Sequence, residues 1–421
     1  MKPASTPEPR RTTAGRAGLG RCGGVFLAIA GVCSVVSARA DARPRDPTRT
    51  QVLFAAGDGP QATPRVPVAP ELPDQLELRW QTRVQGSILH APLVTAAGTL
   101  VVASTTGVTE LDGNGARVFT HALGRATPVT APAIAPDGSR IVVTSSAELV
   151  VLTPSGAVSA KHRLPIDARS VHPTLVVTAS GTVLLGAADG VLEVTLEGDV
   201  LVRVPLTEMP VSLLDLGARR LVVTGSGDVL EWRVTDPPRK IASFGGEVRG
   251  QVAVAPGGEL VAVVGRTRLV SIDLDDGTQR VRLVASGFSL PAPPALTSGG
   301  ETRLLTSNGQ ILGHDPRGRE VQRSSLGGVD RGPRDRGGPG EPSTLPAPLV
   351  DDAGRVVAAW PDRPLSVIDR EGRLGTSEEG AACAQPVALL ALAPRAVVLA
   401  CASGVVSCFG TPRPPRTGPG G

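Results

Sequence analysis

Few residues of this chain have types and spacing that could do chemistry, and its five histidines are the first candidates. They are His90, His121, His162, His172 and His314. None has a Cys, Asp or Glu at the spacing of a metal-binding motif. His90 and His172 each come just before a short apolar run. We interpret them either as binding residues or as locally hydrogen-bonded turn residues.

An acidic segment at residues 273–277, Asp-Leu-Asp-Asp-Gly, is the second candidate. Its start resembles a calcium-binding loop, but the Glu that closes such a loop is missing. Asp and Gly equally favour a tight turn. No Gly-rich phosphate loop opens a helix, and no Ser lies in a nucleophile elbow. The sequence therefore assigns no catalytic, cofactor-binding or metal-binding residue.

Three cysteines, Cys383, Cys401 and Cys408, lie close together near the C-terminus. Cys401 and Cys408 flank a Ser-Gly turn at residues 403–404, which places them on adjacent strands of unknown register. An oxidising compartment permits disulfides. We expect one disulfide and one free thiol, and the pairing stays open.

The composition argues against a nucleic-acid partner. The formal net charge is only +4, and aromatic residues make up 2% of the chain. A nucleic-acid-binding protein concentrates basic side chains on one face and offers aromatic rings for stacking. Here the arginines are spread along the chain and Tyr is absent. The core must be built from Val, Leu, Ile and Ala, which favours β-strands.

The elements that must position all these residues repeat about every 41 residues. Each unit has apolar runs of Val, Leu and Ile bounded by Gly, Pro, Asp or Ser, in the order strand, turn, strand, turn, strand, turn, strand. After residue 40, no run of 12 residues has apolar side chains at helical spacing. The first turn of the eight units is marked by Gly98, Gly138, Gly181, Gly217, Gly258, Gly299, Gly354 and Arg395.

A four-stranded unit of this length matches one blade of a β-propeller. We therefore predict an all-β fold, an eight-bladed β-propeller of four-stranded antiparallel blades. The last unit lacks its fourth strand, and residues 76–82 form a spare strand before the first unit. Together they would complete one blade from both ends of the chain and close the ring.

The repeat resembles the PQQ-like repeat of the quinoprotein alcohol dehydrogenase-like propellers. Ala-Pro at 91–92, the turn at Gly98, the apolar strand 100–102, Gly107 and the turn 112–115 follow that pattern. A Trp often closes each repeat of this family. Here Trp80 lies at that place and Phe119 replaces it in the next unit, so the repeat is degenerate.

For a quinone-dependent dehydrogenase the resemblance implies calcium-binding carboxylates and an amide, a catalytic Asp, a Trp platform and adjacent cysteines. The chain has no Cys-Cys pair, and it has three Trp and two Asn, Asn114 and Asn308. Because the chain departs from the family in these features, we expect a non-enzymatic member. In a propeller His90 and His172 would lie next to the central channel, so a binding role at the channel mouth is one interpretation of them.

The N-terminus has the three parts of a secretory signal. A basic region with Arg10, Arg11, Arg16 and Arg21 precedes an apolar run at 25–36 and an Ala-x-Ala site at 38–40. We predict a signal peptide at 1–40, a Pro-rich linker at 41–75, and a propeller at 76–410. The propeller carries a low-complexity insertion at 329–342, and a disordered tail follows at 411–421. Retention of the N-terminal segment as a membrane anchor is the alternative to cleavage.

The function expected from these features is a non-catalytic binding or scaffold protein of the cell envelope, periplasmic or secreted. Its partners would be envelope proteins, with no nucleic acid, no cofactor and no stable membrane span after signal cleavage. Two alternatives remain open: a propeller hydrolase or lactonase with a metal in the central channel, or a PQQ-dependent dehydrogenase. The metal content of the purified protein distinguishes the first alternative from a scaffold.

Overall fold

The computed structural model describes residues 71–411 except 218, 234–235, 328–344, 378–381 and 394. The predicted signal peptide 1–40, the linker as far as residue 70 and the insertion 329–342 lie outside the described residues. So does all of the tail 411–421 except its first residue.

The described residues form eight four-stranded antiparallel sheets, which are the blades of the predicted propeller. Blades 1 and 2 contain β2 (Leu93–Val94), β3 (Leu100–Ser104), β4 (Gly107–Leu111), β5 (Arg117–Ala122), β6 (Ala133–Ile134), β7 (Arg140–Val143), β8 (Glu148–Leu152) and β9 (Val158–Arg163). Blades 3 and 4 contain β10 (Val171–Val177), β11 (Val183–Ala187), β12 (Gly190–Val194), β13 (Val200–Pro205), β14 (Pro210–Asp215), β15 (Arg220–Thr224), β16 (Asp228–Arg233) and β17 (Asp236–Ser243).

The second half of the chain repeats this order. Blades 5 and 6 contain β18 (Ala253–Val254), β19 (Glu259–Val264), β20 (Arg268–Asp273), β21 (Gln279–Val284), β22 (Ala295–Leu296), β23 (Thr302–Leu305), β24 (Gln310–His314) and β25 (Glu320–Ser325). Blades 7 and 8 contain β26 (Leu349–Val350), β27 (Val356–Ala358), β28 (Ser366–Ile368), β29 (Leu374–Thr376), β30 (Pro386–Ala393), β31 (Ala396–Cys401), β32 (Val405–Gly410) and β1 (Glu77–Arg83). A short 3-10 helix at Ala168–Ser170 precedes blade 3.

The last blade is closed by the N-terminal strand, as predicted. β1 pairs antiparallel with β32, and the sheet order is β1, β32, β31, β30. This pairing joins residues more than 300 positions apart. It gives blade 8 four strands, which is the number in every other blade. No blade of the ring therefore ends in an incomplete sheet.

The core lies between neighbouring blades. The two middle strands of a blade are buried on both faces, as in blade 1, where all residues of β3 and β4 are buried. The outermost strand alternates between exposed and half-buried residues. Because one blade cannot cover its own two faces, each apolar cluster takes side chains from adjacent blades; blades 8 and 1, for example, share the cluster of Val84, Leu100 and Val398.

The propeller has two distinct faces. The turns between the first and second strands and between the third and fourth strands lie on one face, which we call the turn face; in blade 1 they are residues 95–99 and 112–116. The turn between the second and third strands and the link to the next blade lie on the other face, which we call the connection face. In blade 1 these are residues 105–106 and 123–127.

Residues 71–75, assigned to the linker from the sequence, pack against the propeller on the turn face. Leu72 is fully buried and joins the apolar cluster of blades 7 and 8. The backbone N–H of Leu72 donates to Asp351, and Arg395 binds both the backbone carbonyl and the carboxylate of Glu71. The segment that closes the ring therefore begins before β1.

Candidate functional site

His90 and His172 lie on the innermost segments of blades 1 and 3, close to the connection face. Each residue precedes the buried part of the innermost strand of its blade. The two rings are near enough to repel one another when charged. The structure therefore brings together the two histidines that the sequence singled out.

The backbone holds the ring of His172. The backbone N–H of Thr174 donates to Nδ1 of His172 across 3.2 Å. The backbone of Pro128 in blade 2 lies near the ring of His90 and favours its charged form.

The two histidines are uncharged at neutral pH. Burial lowers the pKa of His90 to about 4, against a smaller opposing effect of the backbone of Pro128. Burial, together with repulsion from His90, lowers the pKa of His172 to about 4. Desolvation disfavours the charged imidazolium form, which is the main cause of both shifts.

A glutamine from blade 5 reaches the same place. Nε2 of Gln251 donates to Oγ1 of Thr174 across 2.9 Å, which links blades 5 and 3 past blade 4. Leu89, next to His90, keeps 53% of its surface exposed. We define the channel mouth as Leu89, His90, His172, Thr174 and Gln251.

The acidic segment at 273–277 is a turn between β20 and β21. Oδ1 of Asp273 accepts the backbone N–H of Asp275, and Oδ1 of Asp276 accepts that of Thr278. These side chains cap the local backbone, as Asp does in tight turns. Within the described ranges, no three His, Cys, Asp or Glu residues are grouped so that they could hold a metal ion.

Aromatic docking between blades follows the sequence expectation and extends it by one residue. Trp80 lies over Gly115 and donates through Nε1 to the carbonyl of Gly113 across 2.9 Å. Phe119 lies over Gly156 in the same way, as proposed for a Trp replacement. His162 lies over Gly198 and continues the series. Sequence reasoning missed His162, although its spacing from Phe119 could have indicated it.

Buried ion pairs between blades were also missed. Glu110 of blade 1 accepts two hydrogen bonds of 2.8 Å from Arg140 of blade 2 and a third of 2.6 Å from Thr99. The same arrangement recurs where Glu193 of blade 3 binds Thr182 and Arg220 of blade 4. In each case Thr precedes Glu by 11 positions. This repeated spacing in the sequence could have indicated the buried pairs.

The three cysteines of the described residues form one disulfide and one free thiol, as expected. Cys383 pairs with Cys401, and Cys408 is free and buried. Cys401 faces the apolar cluster of blades 7 and 8, whereas Cys408 faces that of blades 8 and 1. The two lie on opposite faces of their sheet, which is why adjacent strands do not pair them. Burial raises the pKa of the Cys408 thiol to about 11.

Comparisons with known proteins agree with this fold. The chain is similar to BamB from Moraxella catarrhalis, with 15% identity, a TM-score of 0.60, and coverage of 80% of this chain and 97% of that one. It is equally similar to a computationally designed protein, Ika8, with 16% identity, a TM-score of 0.59, and coverage of 80% and 99%. At such low identity these likenesses show the fold alone. No curated protein sequence matches the chain.

Residues 71–411, as far as the structure describes them, form an eight-bladed β-propeller with almost no helix, and none of their helices is long and apolar enough to span a membrane. The sequence profile described as outer membrane protein assembly factor BamB matches residues 74–208, which cover β1 and blades 1 to 3. This match supports the likeness of residues 74–208 to the PQQ-like repeat propeller family.

Proposed function

We propose that this protein is an exported, non-catalytic scaffold that binds protein partners in the cell envelope. The observation that carries the proposal is the match of residues 74–208 to the profile described as an outer membrane protein assembly factor. Because a fold alone does not define function, the likeness to solved propellers adds only the architecture.

The disulfide supports the exported location. Cys383 and Cys401 are 2% and 6% exposed, so the bond lies in the apolar cluster between blades 7 and 8. Disulfides form and persist in oxidising compartments such as the periplasm and are rare in the cytosol. This agrees with cleavage of a signal peptide after residue 40, which would leave a mature chain that starts at Asp41.

The rigidity of the ring supports a scaffold role. Buried Glu–Arg pairs join blade 1 to blade 2 and blade 3 to blade 4, and β1 joins the two ends of the chain. A propeller fixed in this way holds its surface loops in constant relative positions, which suits simultaneous contacts with a partner.

Complementation tests the proposal. In a strain that lacks the protein, we expect lower levels of folded outer membrane proteins, restored by the full chain and not by a chain without residues 1–40. Intact-mass analysis of the envelope fraction should show an N-terminus at Asp41, one disulfide and one free thiol. Unchanged outer membrane protein levels would refute the assembly role, and a retained Met1 would refute cleavage.

A further inference from the structure

The fold gathers the positive charge of the propeller on its rim, which we define as the outermost strands of the eight blades. These strands carry 11 Lys or Arg residues and three Asp or Glu residues. The rest of the described residues carry 17 Lys or Arg and 27 Asp or Glu. The rim is therefore basic and the remainder of the described propeller is acidic, although the arginines are spread along the sequence.

The positive charge of the rim is concentrated on three adjacent blades. Each exposed Lys or Arg of the rim either has a carboxylate partner or belongs to a set of five that form no salt bridge with any described carboxylate. Four of these five lie on β1, β5 and β9, the outermost strands of blades 8, 1 and 2. A guanidinium stays charged at every physiological pH. The unpaired arginines are Arg79, Arg83, Arg117, Arg163 and, on β21, Arg280.

Two of these arginines meet across a blade junction. Nη2 of Arg117 in blade 1 donates to the backbone carbonyl of Arg83 in blade 8 across 2.8 Å. Oγ1 of Thr82, next to Arg83, donates to the carbonyl of Gly115 across 2.7 Å. These bonds hold β1 against blade 1. The guanidinium of Arg117 is therefore fixed beside the residue that carries the next unpaired cation, and an anion bound there would gain from both charges.

Exposed aliphatic side chains accompany the arginines on the same three strands. Leu78, Val118 and Val158 keep 45%, 53% and 46% of their surface exposed. Each lies at the beginning of its strand, close to the turn face. Leu78 is the direct neighbour of Arg79, and Val118 is the direct neighbour of Arg117. We call β1, β5 and β9 together the basic arc.

The basic arc does not suit an acidic peptide. A peptide that adds a strand needs a continuous row of free backbone groups, and register shifts interrupt the pairing of β1, β5 and β9. The exposed aliphatic side chains lie on three different blades. A ring of eight blades turns by about 45° from one blade to the next, so the arc is convex and these side chains do not share one pocket.

We propose that the basic arc binds the surface of an anionic lipid bilayer. The guanidinium groups would contact lipid phosphates, and Leu78, Val118 and Val158 would enter the interfacial layer. A bilayer surface needs no pocket on the protein and adapts to a convex one, so it can use the charges and aliphatic side chains of all three blades. The proposal goes beyond the scaffold function, because it holds whether or not a protein partner binds elsewhere.

Vesicle co-sedimentation tests the proposal. The chain from Asp41 is used, because it contains every described strand and lacks the apolar run at 25–36. At low salt it should bind vesicles of phosphatidylglycerol and phosphatidylcholine in equal parts at least about tenfold more tightly than vesicles of phosphatidylcholine alone, and binding should weaken as salt is added. Equal binding to the two kinds of vesicle, or no binding to either, would overturn the proposal.

Removal of charge from the basic arc locates the binding surface. The triple variant Arg83→Gln/Arg117→Gln/Arg163→Gln should bind the phosphatidylglycerol vesicles about 100-fold more weakly, because each Lys or Arg near an anionic bilayer contributes about a factor of five. All three side chains are exposed, so the melting temperature should stay close to that of the unmodified protein.

A matched control removes the same charge from the opposite side of the ring. Arg239, Lys240 and Arg323 lie on β17 and β25 and are paired with carboxylates. The triple variant with Gln at these positions should lose less than about threefold in vesicle binding, because charges beyond the Debye length are screened. Equal losses in the two triple variants would show that binding follows net charge and not the basic arc, which would overturn the assignment.

The aliphatic side chains distinguish a bilayer from an acidic protein. Val118→Ser/Val158→Ser should weaken vesicle binding about fivefold, whereas Val281→Ser/Val321→Ser, at exposed positions of blades 5 and 6, should leave it unchanged. A poly-glutamate peptide offers negative charge without a bilayer and should bind less tightly than the vesicles. Tighter binding of poly-glutamate, or equal effects of the two serine variants, would favour an acidic protein partner and refute the bilayer.

Discussion

Glu110 and Arg140 join blades 1 and 2 through side chains that are 3% and 10% exposed. Two hydrogen bonds link them, and Thr99 satisfies the carboxylate further. A buried pair of this kind contributes little relative to an apolar pair, but loss of one partner leaves an uncompensated buried charge. At the residue scale, these pairs therefore control the junctions between blades.

Glu110→Gln tests this control. The substitution keeps the shape and leaves the Arg140 charge without its partner, so the free energy of unfolding should fall by about 3–5 kcal/mol. Asp189→Asn is the control, because the Asp189–Arg203 pair is about half exposed and screened by water. Denaturant unfolding measures both. Equal effects would show that the blade junction does not depend on the buried charge.

The two histidines at the channel mouth predict a pH dependence of stability. Their folded-state pKa is about 4, below the unfolded value of 6.5. Between these values the unfolded chain binds more protons, so stability falls as pH decreases from about 6.5 to about 4, by at most about 3 kcal/mol per histidine.

The double variant His90→Gln/His172→Gln should lose this pH dependence. Melting temperatures measured from pH 7.5 to pH 4 should fall less steeply in the variant than in the unmodified protein. His121→Gln, on an outermost strand, is the control and should keep the original slope. Parallel curves for the double variant and the unmodified protein would contradict the assignment.

At the element scale, the outermost strand of each blade has to be prevented from pairing with other chains. Along the strands that the structure describes, a register shift interrupts the outermost pairing in every blade except blade 7. Such bulges twist an edge and disturb its hydrogen-bonding row. In blade 7 the outermost strand, β29, has only three residues, which is another way to limit pairing.

Docking between blades depends on glycines that an aromatic ring covers. A Cβ at Gly156 would lie 2.4 Å from the ring of Phe119, whereas a Cβ at Gly98 would meet nothing within 4 Å. Both glycines have positive φ, 84° and 74°. The backbone cost of Ala is therefore similar at the two positions, and only Gly156 adds a steric clash.

Gly156→Ala should consequently lower the free energy of unfolding by about 1–3 kcal/mol more than Gly98→Ala. In the double variant Gly156→Ala/Phe119→Ala the steric clash should be relieved, so part of the lost free energy of unfolding should return. The contact of the Phe119 ring is lost in that variant as well. Chemical denaturation of the three variants gives the comparison. If the two single variants unfold alike, Phe119 does not dock on this turn.

At the scale of the whole molecule, closure depends on a segment that precedes the first blade. β1 completes blade 8, and residues 71–75 add Leu72 to the apolar cluster and Glu71 and Asp74 to ion pairs with Arg395 and Arg355. Removal would expose β32 as an edge and uncover apolar side chains. Each large one costs about 1.5–3 kcal/mol, against a total stability of about 5–15 kcal/mol.

Deletion of residues 71–83 should therefore cause severe destabilisation or aggregation through the open edge. Deletion of residues 41–70, a longer segment that we assign to a linker, should leave the melting temperature nearly unchanged. Thermal unfolding and size-exclusion chromatography distinguish the two outcomes. Similar behaviour of both deletions would show that the ring is not closed by this segment.

The sequence by itself determined the repeat, the strand class, the number of blades and the closing strand. These follow from local rules: Gly, Pro and Asp punctuate short Val- and Leu-rich runs, and one missing strand at the C-terminus matches one spare strand before blade 1. The docking of Trp80 and Phe119 between blades could also be predicted from the sequence, because the two residues occupy the same place in successive repeats.

Only the tertiary structure decided which distant side chains meet. The Cys383–Cys401 pairing depends on which face of blade 8 each sulfur occupies, and the proximity of His90 to His172 depends on the curvature of the ring. The contact of Gln251 with Thr174 skips a whole blade. A period of about 41 residues defines each blade, but it does not define the angle at which blades pack or which side chains meet at the centre.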